Sequence, residues 1–286
     1  MMVVHTYPAV VITGAGSGIG ASCALTLDQL GWRVFAGVHR DEDGRTLKQR
    51  ASDRLTSFLL DVTDASSVEA AARRVTTALG ERKLVGLIHC AGVAVLGPLE
   101  CLPASEITAQ FAVNVFGLIS VTQAFLPLLR QSQGRIVLIG SLAGKLAFPF
   151  MGPYAASKYA VEALADAWRA ELHPWQIHVS PVEPDTIATP IWTKIARRAR
   201  SNFTPEAARL YGPILPYFEG VTARATTKGL PTGRVAKAVV HALQAATPKT
   251  RYVVTKPLMA LLIRFLMRLP DRARDRLLTR RFPTYP

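Results

Sequence analysis

Ser141 stands thirteen residues before Tyr154, and Tyr154 stands four before Lys158 in the run YAASK. Residues four apart on a helix share one face, so the phenol and the ammonium are neighbours one turn apart. A phenol ionises near about 10, too high for ready proton exchange at neutral pH, and a nearby ammonium favours the phenolate and brings that value down. The tyrosine is then a usable general acid or base. Ser141 closes the apolar run IVLIGS, which reads as a buried strand, so its hydroxyl points from the end of a sheet toward whatever the tyrosine protonates. That places a polarising contact on a carbonyl oxygen. A Tyr-x3-Lys pair also arises on ordinary helices, and only the neighbouring motifs give it weight.

The first of these is PAVVITGAGSGIGASCALTLDQLGWRVFAGVHR, an apolar strand that runs through a glycine cluster into an amphipathic helix and a second strand. This is a β-α-β unit. Gly14, Gly16, Gly18 and Gly20 remove side chains where the backbone turns tightly. The helix opening at Ser17, Gly18, Ile19 and Gly20 turns unpaired N–H groups and its positive dipole end toward a pyrophosphate. The spacing is Gly14-x3-Gly18-x-Gly20; the usual three-glycine dinucleotide fingerprint fits only in its G/A form, through Gly16, Gly18 and Ala21.

Taken with Asn114, Ser141 and Tyr154-x3-Lys158, the turn TGAGSGIG resembles the short-chain dehydrogenase/reductase superfamily over roughly residues 8 to 190. LDQLGWRVFAG, SLAGKLAFPFMGPYAASKYAVEAL and EPDTIATPIW are similar to the branch that holds retinol and 17β-hydroxysteroid dehydrogenases. The resemblance implies one doubly wound α/β domain of Rossmann type binding NAD or NADP. Tyr154 would be the proton donor or acceptor, Lys158 would bind the nicotinamide ribose and lower the tyrosine pKa, and Ser141 would hold the substrate oxygen. Asn114 would support a water-linked proton path to Lys158. The implied cofactor contacts continue through Asp61, Val62, Ala91, Gly92 and Pro184, with Ile187 and Thr189 at the carboxamide. Two departures stand out. The family's NNAG segment is His89-Cys90-Ala91-Gly92, where a strand-end histidine reads as a structural group, and the usual proline-glycine pair is Pro184-Asp185, where aspartate tolerates left-handed angles better than most residues.

Strands are expected near 8–13, 33–38, 55–60, 84–89, 134–140, 176–182 and 250–254, with helical patterns between them. Such alternation gives a mostly seven-stranded parallel sheet covered on both faces, with its ligand crevice beyond the carboxyl ends of the strands. Gly14 to Gly20, Asp61, Gly92, Ser141 and Pro184 all fall there. Asp61 either contacts the adenine or caps the helix that begins near Thr63 or Asp64. The second strand ends in Val38-His39-Arg40, and Val38 offers no acceptor for a ribose hydroxyl. A guanidinium suits a 2′-phosphate, so His39 and Arg40 favour NADP(H) over NAD(H), with Asp41 the competing residue for NAD.

Residues 186–230 are too long for an ordinary connection and carry Trp192, Phe203, Tyr211, Tyr217 and Phe218; the Pro/Gly-rich stretch 212–233 reads as a loop. Together with Phe148, Phe150 and Met151 they suggest a lid over an apolar cleft for a lipophilic alcohol or ketone of retinoid, steroid or long-chain type. Residues 1–256 form the expected domain and 257–286 a basic helical extension. The net charge is +14, and residues 249–286 hold ten Lys and Arg against Asp271 and Asp275. An apolar stripe (Leu258, Leu261, Leu262, Phe265, Leu266, Leu269) runs beside Arg264, Arg268, Arg272, Arg276 and Arg280, with Pro270 splitting the segment. It could lie on an anionic membrane surface, cap the cleft or form a subunit contact in a dimer or tetramer. No recognition motif points to nucleic acid. The three cysteines show no paired or metal-ligand spacing, no leader pattern precedes the first strand and no run of 18 apolar residues occurs, so a cytoplasmic protein, peripherally membrane-bound at most, is expected. The reading is an alcohol/carbonyl oxidoreductase. Its rival is a non-catalytic dinucleotide-binding protein at a membrane surface or on a protein partner.

Overall fold

A computed structural model describes residues 8–280 and 282. Its seven strands are β1 (Ala9–Thr13), β2 (Arg33–Val38), β3 (Leu55–Leu59), β4 (Leu84–His89), β5 (Arg135–Ile139), β6 (His178–Pro184) and β7 (Tyr252–Val254). All pair in parallel, in the order β3-β2-β1-β4-β5-β6-β7. The order reverses between β1 and β4, which opens the crevice at their carboxyl ends. Successive side chains on a strand point to opposite faces, so β1 alone feeds both cores. Val10 and Ile12 pack with helices α1 (Gly18–Gln29) and, much later in the chain, Thr232–Gln244. Ala9 and Val11 face the other layer.

Between those two helices lie α2 (Asp41–Lys48), α3 (Ala65–Leu79), α4 (Ala104–Phe111), α5 (Gly117–Ser132) and α6 (Gly152–Glu171). One π turn, Ala112–Phe116, joins α4 to α5. The continuous helix Ala104–Ser132 is apolar and long enough to cross a bilayer by length and composition, yet Leu118, Val121, Phe125 and Leu129 are buried in the second core, which accounts for its apolar character.

The segment after β6 corrects the sequence reading. The expected lid segment 186–230 forms α7 (Ile191–Asn202), α8 (Pro205–Tyr211) and α9 (Ile214–Lys228), and the stretch 212–233, expected as a loop, is α9 and the start of α10 (Thr232–Gln244). The prolines that read as breakers sit at helix starts, where a missing N–H costs nothing. Pro205 opens α8 behind Thr204, whose hydroxyl accepts from Ala207 N, and Pro213 and Pro231 precede α9 and α10. Beyond β7 come α11 (Pro257–Arg268) and α12 (Asp271–Thr279), separated at Pro270. Residues 281 and 283–286 of the expected extension lie outside the described residues.

Candidate active site

The glycine turn is built by exclusion. Gly14 has φ +64°, and a Cβ there would stand 2.7 Å from the backbone of Ala91; one at Gly20 would stand 2.2 Å from the carbonyl oxygen of Gly14. Gly18 has φ +55° and a Cβ there would meet Thr189 at 3.2 Å, so the turn lies directly beneath the residue expected at the carboxamide. Ser17 occupies the N-cap of α1 without a side-chain cap. Ile19 packs against the first core and Thr13 Oγ1 accepts from the amides of Cys90 and Ala91, both at 3.2 Å, which ties the turn to the end of β4. This cradle, closed to any side chain but open along its backbone, fits a dinucleotide pyrophosphate.

At the end expected to hold the adenosine, Asp61 does not cap α3. Asp64 does, accepting from Ser66 N, while Asp61 accepts from Thr63 N at 2.9 Å and Thr63 Oγ1 at 2.7 Å. Those hydrogen bonds hold its carboxyl below the usual range. Its other oxygen lies 3.9 Å from His39 Nε2, on a side chain 74% exposed, and Val62 behind it is buried. Arg40 forms the N-cap of α2 and is exposed. Sequence reasoning missed Asp43. Its Cβ lies 2.8 Å and its Oδ2 3.2 Å from where a Cβ at Gly16 would be, so Asp43 rather than Asp41 is the acid lying against the glycine turn.

At the reacting end, Tyr154 and Lys158 lie on α6, and Ser141 follows β5 as the N-cap of a short turn, Leu142–Gly144, accepting from Ala143 N at 3.1 Å. The Ser141 hydroxyl also neighbours the Tyr154 phenol and pulls its pKa down. The protonation balance differs from the sequence expectation. Burial raises the Tyr154 pKa and the Ser141 contact only partly offsets it. Lys158 does not bring the phenol below its ordinary value because its Nζ donates to the Ile139 carbonyl at 2.7 Å and stands 5.9 Å from the Tyr154 ring centroid. Burial in turn lowers Lys158 to about 8, against opposing pulls from Cys90 and Glu162. Gly92 keeps this place open, since a Cβ there would lie 4.0 Å from Lys158 Nζ and 3.4 Å from Asn114 Oδ1.

Asn114 sits in the π turn and is buried. Its amide accepts from Val93 N at 2.8 Å and donates to Val93 O at 2.9 Å and Ser157 Oγ at 3.0 Å, holding the loop after β4 to α6. The two departures from the family pattern are both absorbed structurally. His89 Nε2 lies 3.0 Å from Thr122 Oγ1, whose hydroxyl donates to Leu118 O, so the buried ring presents its Nε2–H; burial drives its pKa down to about 3, so the ring is neutral. Cys90 contacts Cys23, and that contact and burial push its thiol up. Asp185 does not take a left-handed conformation. Its carboxylate accepts from Thr186 N at 2.7 Å and from Thr255 Oγ1 at 2.6 Å, and so joins the end of buried Pro184 to the start of the C-terminal extension.

Phe150, Met151, Trp192, Tyr211, Tyr217, Phe218 and Phe282 form one apolar cluster with Tyr154. Trp192 Nε1 donates to Ile187 O at 2.7 Å, and Ile187 bridges to Leu230, so the cluster is anchored beside the expected carboxamide contacts. Two aromatic residues expected in the cleft lie outside this cluster: Phe203 is not part of it, and Phe148 packs instead with Leu146, Leu262, Leu266, Leu269 and Leu278 beneath α11 and α12. Phe150 has φ +64°, a strained value for an aromatic residue, and this bend sends residues two apart to different cores.

Residues 8–200 match the short chain dehydrogenase family. The chain is 35% identical over 273 residues to an NADPH-dependent 3-dehydrocapnine reductase of Ornithobacterium rhinotracheale, covering 93% of this chain and 94% of that protein. It is 36% identical to retinol dehydrogenase 5 of Mus musculus, over 85% of this chain and 79% of that one. To 17-beta-hydroxysteroid dehydrogenase type 6 of Bos taurus it is 33% identical, over 96% and 88% respectively. Among solved structures, a short-chain dehydrogenase from Streptomyces avermitilis superposes with a TM-score of 0.74 at 27% identity over 95% of both chains. With its single seven-stranded Rossmann-type domain and these relatives, the chain belongs to the short-chain dehydrogenase/reductase family of oxidoreductases, on the branch that includes retinol and 17β-hydroxysteroid dehydrogenases.

Proposed function

We propose that this protein interconverts a lipophilic alcohol and its ketone or aldehyde, with Tyr154 moving the proton. The observation that carries the reading is a half-buried phenol beside Ser141, set into the wall of an aromatic cluster. Ser141 and Tyr154 offer two hydroxyls to one oxygen, which is what polarising and protonating a carbonyl requires. Lys158 supplies positive charge beneath them, and Asn114 holds the backbone that frames the site. A bound nicotinamide supplies or accepts the hydride; Gly14, Ser17, Gly18, Gly20, Asp61, Ala91, Gly92, Ile187 and Thr189 are the residues that would hold the dinucleotide. Phe150, Met151 and Trp192 would exclude water from the substrate. The test is nicotinamide absorbance with a panel of retinoid, steroid and long-chain alcohols and ketones. Cofactor binding without turnover on any of them would favour the non-catalytic reading.

For the cofactor, the reading is NADP(H), with Arg40 on the 2′-phosphate and His39 beside it; the NADPH-dependent relative from Ornithobacterium rhinotracheale supports it. Asp43 is the competing determinant. Arg40→Ala is expected to weaken NADP(H) by about tenfold or more, the worth of one charge-assisted hydrogen bond, with NAD(H) little changed. Equal losses for both, or a wild-type preference for NAD(H), would assign the discrimination to Asp43. In that case Asp43→Asn should move affinity toward NADP(H).

The C-terminal extension supports a second role. Leu266 of α11 packs with Phe148 and Leu146, and Phe282 lies tilted against Phe150 and Tyr217 at centroid distances of 5.4 and 5.0 Å, so the segment reaches the aromatic cluster through Phe282. Its outer face carries Leu258, Leu261 and Phe265, 80%, 61% and 55% exposed, beside exposed Lys256, Arg264, Arg268 and Arg272. Those groups suit shallow attachment to an anionic bilayer. Co-sedimentation with phosphatidylserine vesicles is expected at low salt, falling as ionic strength shortens the screening length, and lost in Leu261→Asp/Phe265→Asp. Absence of binding at low salt rejects attachment and leaves the segment as a cap or a subunit contact.

A further inference from the structure

Three segments that carry the candidate site end in one partly buried charge cluster that no step of the proposed reaction uses. Glu162 lies one turn beyond Lys158 on α6, and Glu183 lies on β6 immediately before Pro184; both are buried. Two cations meet them. Lys145, four residues after Ser141, places Nζ 2.9 Å from Glu162 Oε2 and 3.6 Å from Glu183 Oε1. Arg251, which leads into β7, places Nε 3.1 and 3.3 Å from the same two oxygens, and its Nη2 donates to Asp166. Among the described residues, the other charges linked to this cluster are on α6: Lys158, which Glu162 helps to keep protonated, and Arg169, paired with Asp166.

The backbone makes room for it. A Cβ at Gly140 would stand 2.8 Å from Glu162 Oε1, and one at Gly144 would stand 2.9 Å from Lys158 O and 3.2 Å from Glu162 Cγ. Both glycines flank the Ser141 turn. Buried ion pairs seldom add stability over apolar side chains of the same volume, because desolvation offsets the attraction. Glu162 Oε1 finds no hydrogen-bond donor among the described residues and Glu183 Oε1 has only its ion-pair contacts at 3.3 and 3.6 Å, so the cluster is a poor source of folding energy. What it does supply is a fixed relation between the turn, α6 and β6.

We propose that Lys145, Glu162, Glu183 and Arg251 form a positioning cluster that seats the Ser141 turn against Tyr154 and Lys158, with Lys145 the link that sets the turn. This role rests on the oxidoreductase reading, in which Ser141 and Tyr154 act on one oxygen. Burial, and after it the Glu162 charge, pushes the Glu183 carboxyl up to about 7. The folded state then holds a proton that the unfolded chain releases near the ordinary 4.5. The stability linked to that proton is full below that ordinary value and is lost as pH rises through about 7.

The test reads Tyr154 directly, by ¹⁹F NMR of protein labelled with 3-fluorotyrosine, the resonance assigned with Tyr154→Phe, in the absence of substrate and cofactor. Lys145→Met is expected to move the Tyr154 titration upward by displacing the Ser141 hydroxyl, as Ser141→Ala is expected to by deleting it, and Lys145→Arg is expected to restore it. With a substrate in hand, Lys145→Met should lower kcat by about tenfold or more with KM little changed, the scale expected for a misplaced polar group. Glu183→Gln should flatten the stability loss between pH 5 and 7, and Glu162→Gln serves as the second variant if Lys145→Met does not fold, with the same upward shift expected. A Tyr154 titration unmoved in the folded Lys145→Met or Glu162→Gln variant, or a Lys145→Arg protein whose titration is no nearer the wild type than that of Lys145→Met, overturns the proposal. Absence of turnover in the wild type would count against the oxidoreductase reading alone, since the titration needs none.

Discussion

Tyr154→Phe is expected to lower kcat by about 10³-fold, within the range that one positioned general acid contributes, while cofactor affinity stays within about twofold. The substitution removes one oxygen and leaves the ring in its aromatic cluster, so neither packing nor the glycine cradle changes. Ser141 retains its contact to Ala143 N and could still hold a substrate oxygen, but it has no route for the proton. Stopped-flow turnover together with fluorescence titration of the reduced cofactor separates the two effects. A variant that keeps most of its rate would remove Tyr154 from the mechanism, and one that loses cofactor binding in proportion would make it a binding residue. Lys158→Ala differs: it deletes a buried cation that donates to Ile139 O, so affinity and rate should fall together.

The second large effect concerns the cradle. Gly20→Ala would place a methyl 2.2 Å from the Gly14 carbonyl oxygen, a distance no rotamer change can relieve because both groups are backbone-fixed. The turn must open, and with it the amides proposed to hold the pyrophosphate. A cost of about 1–3 kcal/mol in stability, as for other overpacked sites, is expected along with loss of measurable dinucleotide binding. Gly233→Ala is the control. It lies in α10 with nothing within 4 Å of the added methyl, so it should stabilise by about 0.5–1 kcal/mol and leave binding unchanged. Thermal unfolding with and without cofactor measures both. Equal behaviour of the two variants would show that close approach at Gly20 is not what shapes the cradle.

The strands were legible because a buried parallel sheet writes itself as short apolar runs separated by amphipathic helices, and each run ends in residues of the crevice. Ser141, Tyr154 and Lys158 were legible because two of them share one helix face and the third ends a strand. What escaped depends on contacts between segments. Phe148 and Phe150 look equivalent two residues apart, and only the left-handed backbone at Phe150 sends them to different cores. Asp43 was hidden behind Asp41 because the register of α2 decides which acid reaches Gly16. The cluster of Lys145, Glu162, Glu183 and Arg251 draws one charge from each of four distant segments, and no local pattern marks it. The prolines at helix starts misled in the opposite direction, since the residue that stops a helix from behind also begins one from the front.

Because α4 and α5 form one continuous helix interrupted by the π turn Ala112–Phe116, the inward aim of Asn114 depends on a count of residues and not only on their kinds. A π turn holds one residue more than the regular winding needs, and each residue advances an α-helix by about 100°. Deleting any one residue there would let the helix close into uniform winding and rotate everything on one side of the excision by that angle. Either the amide would leave Val93 and Ser157, or the face that buries Val121 and Phe125 would turn outward. Substitutions along this helix are therefore judged one side chain at a time, whereas a single-codon deletion is judged by the whole layer at once.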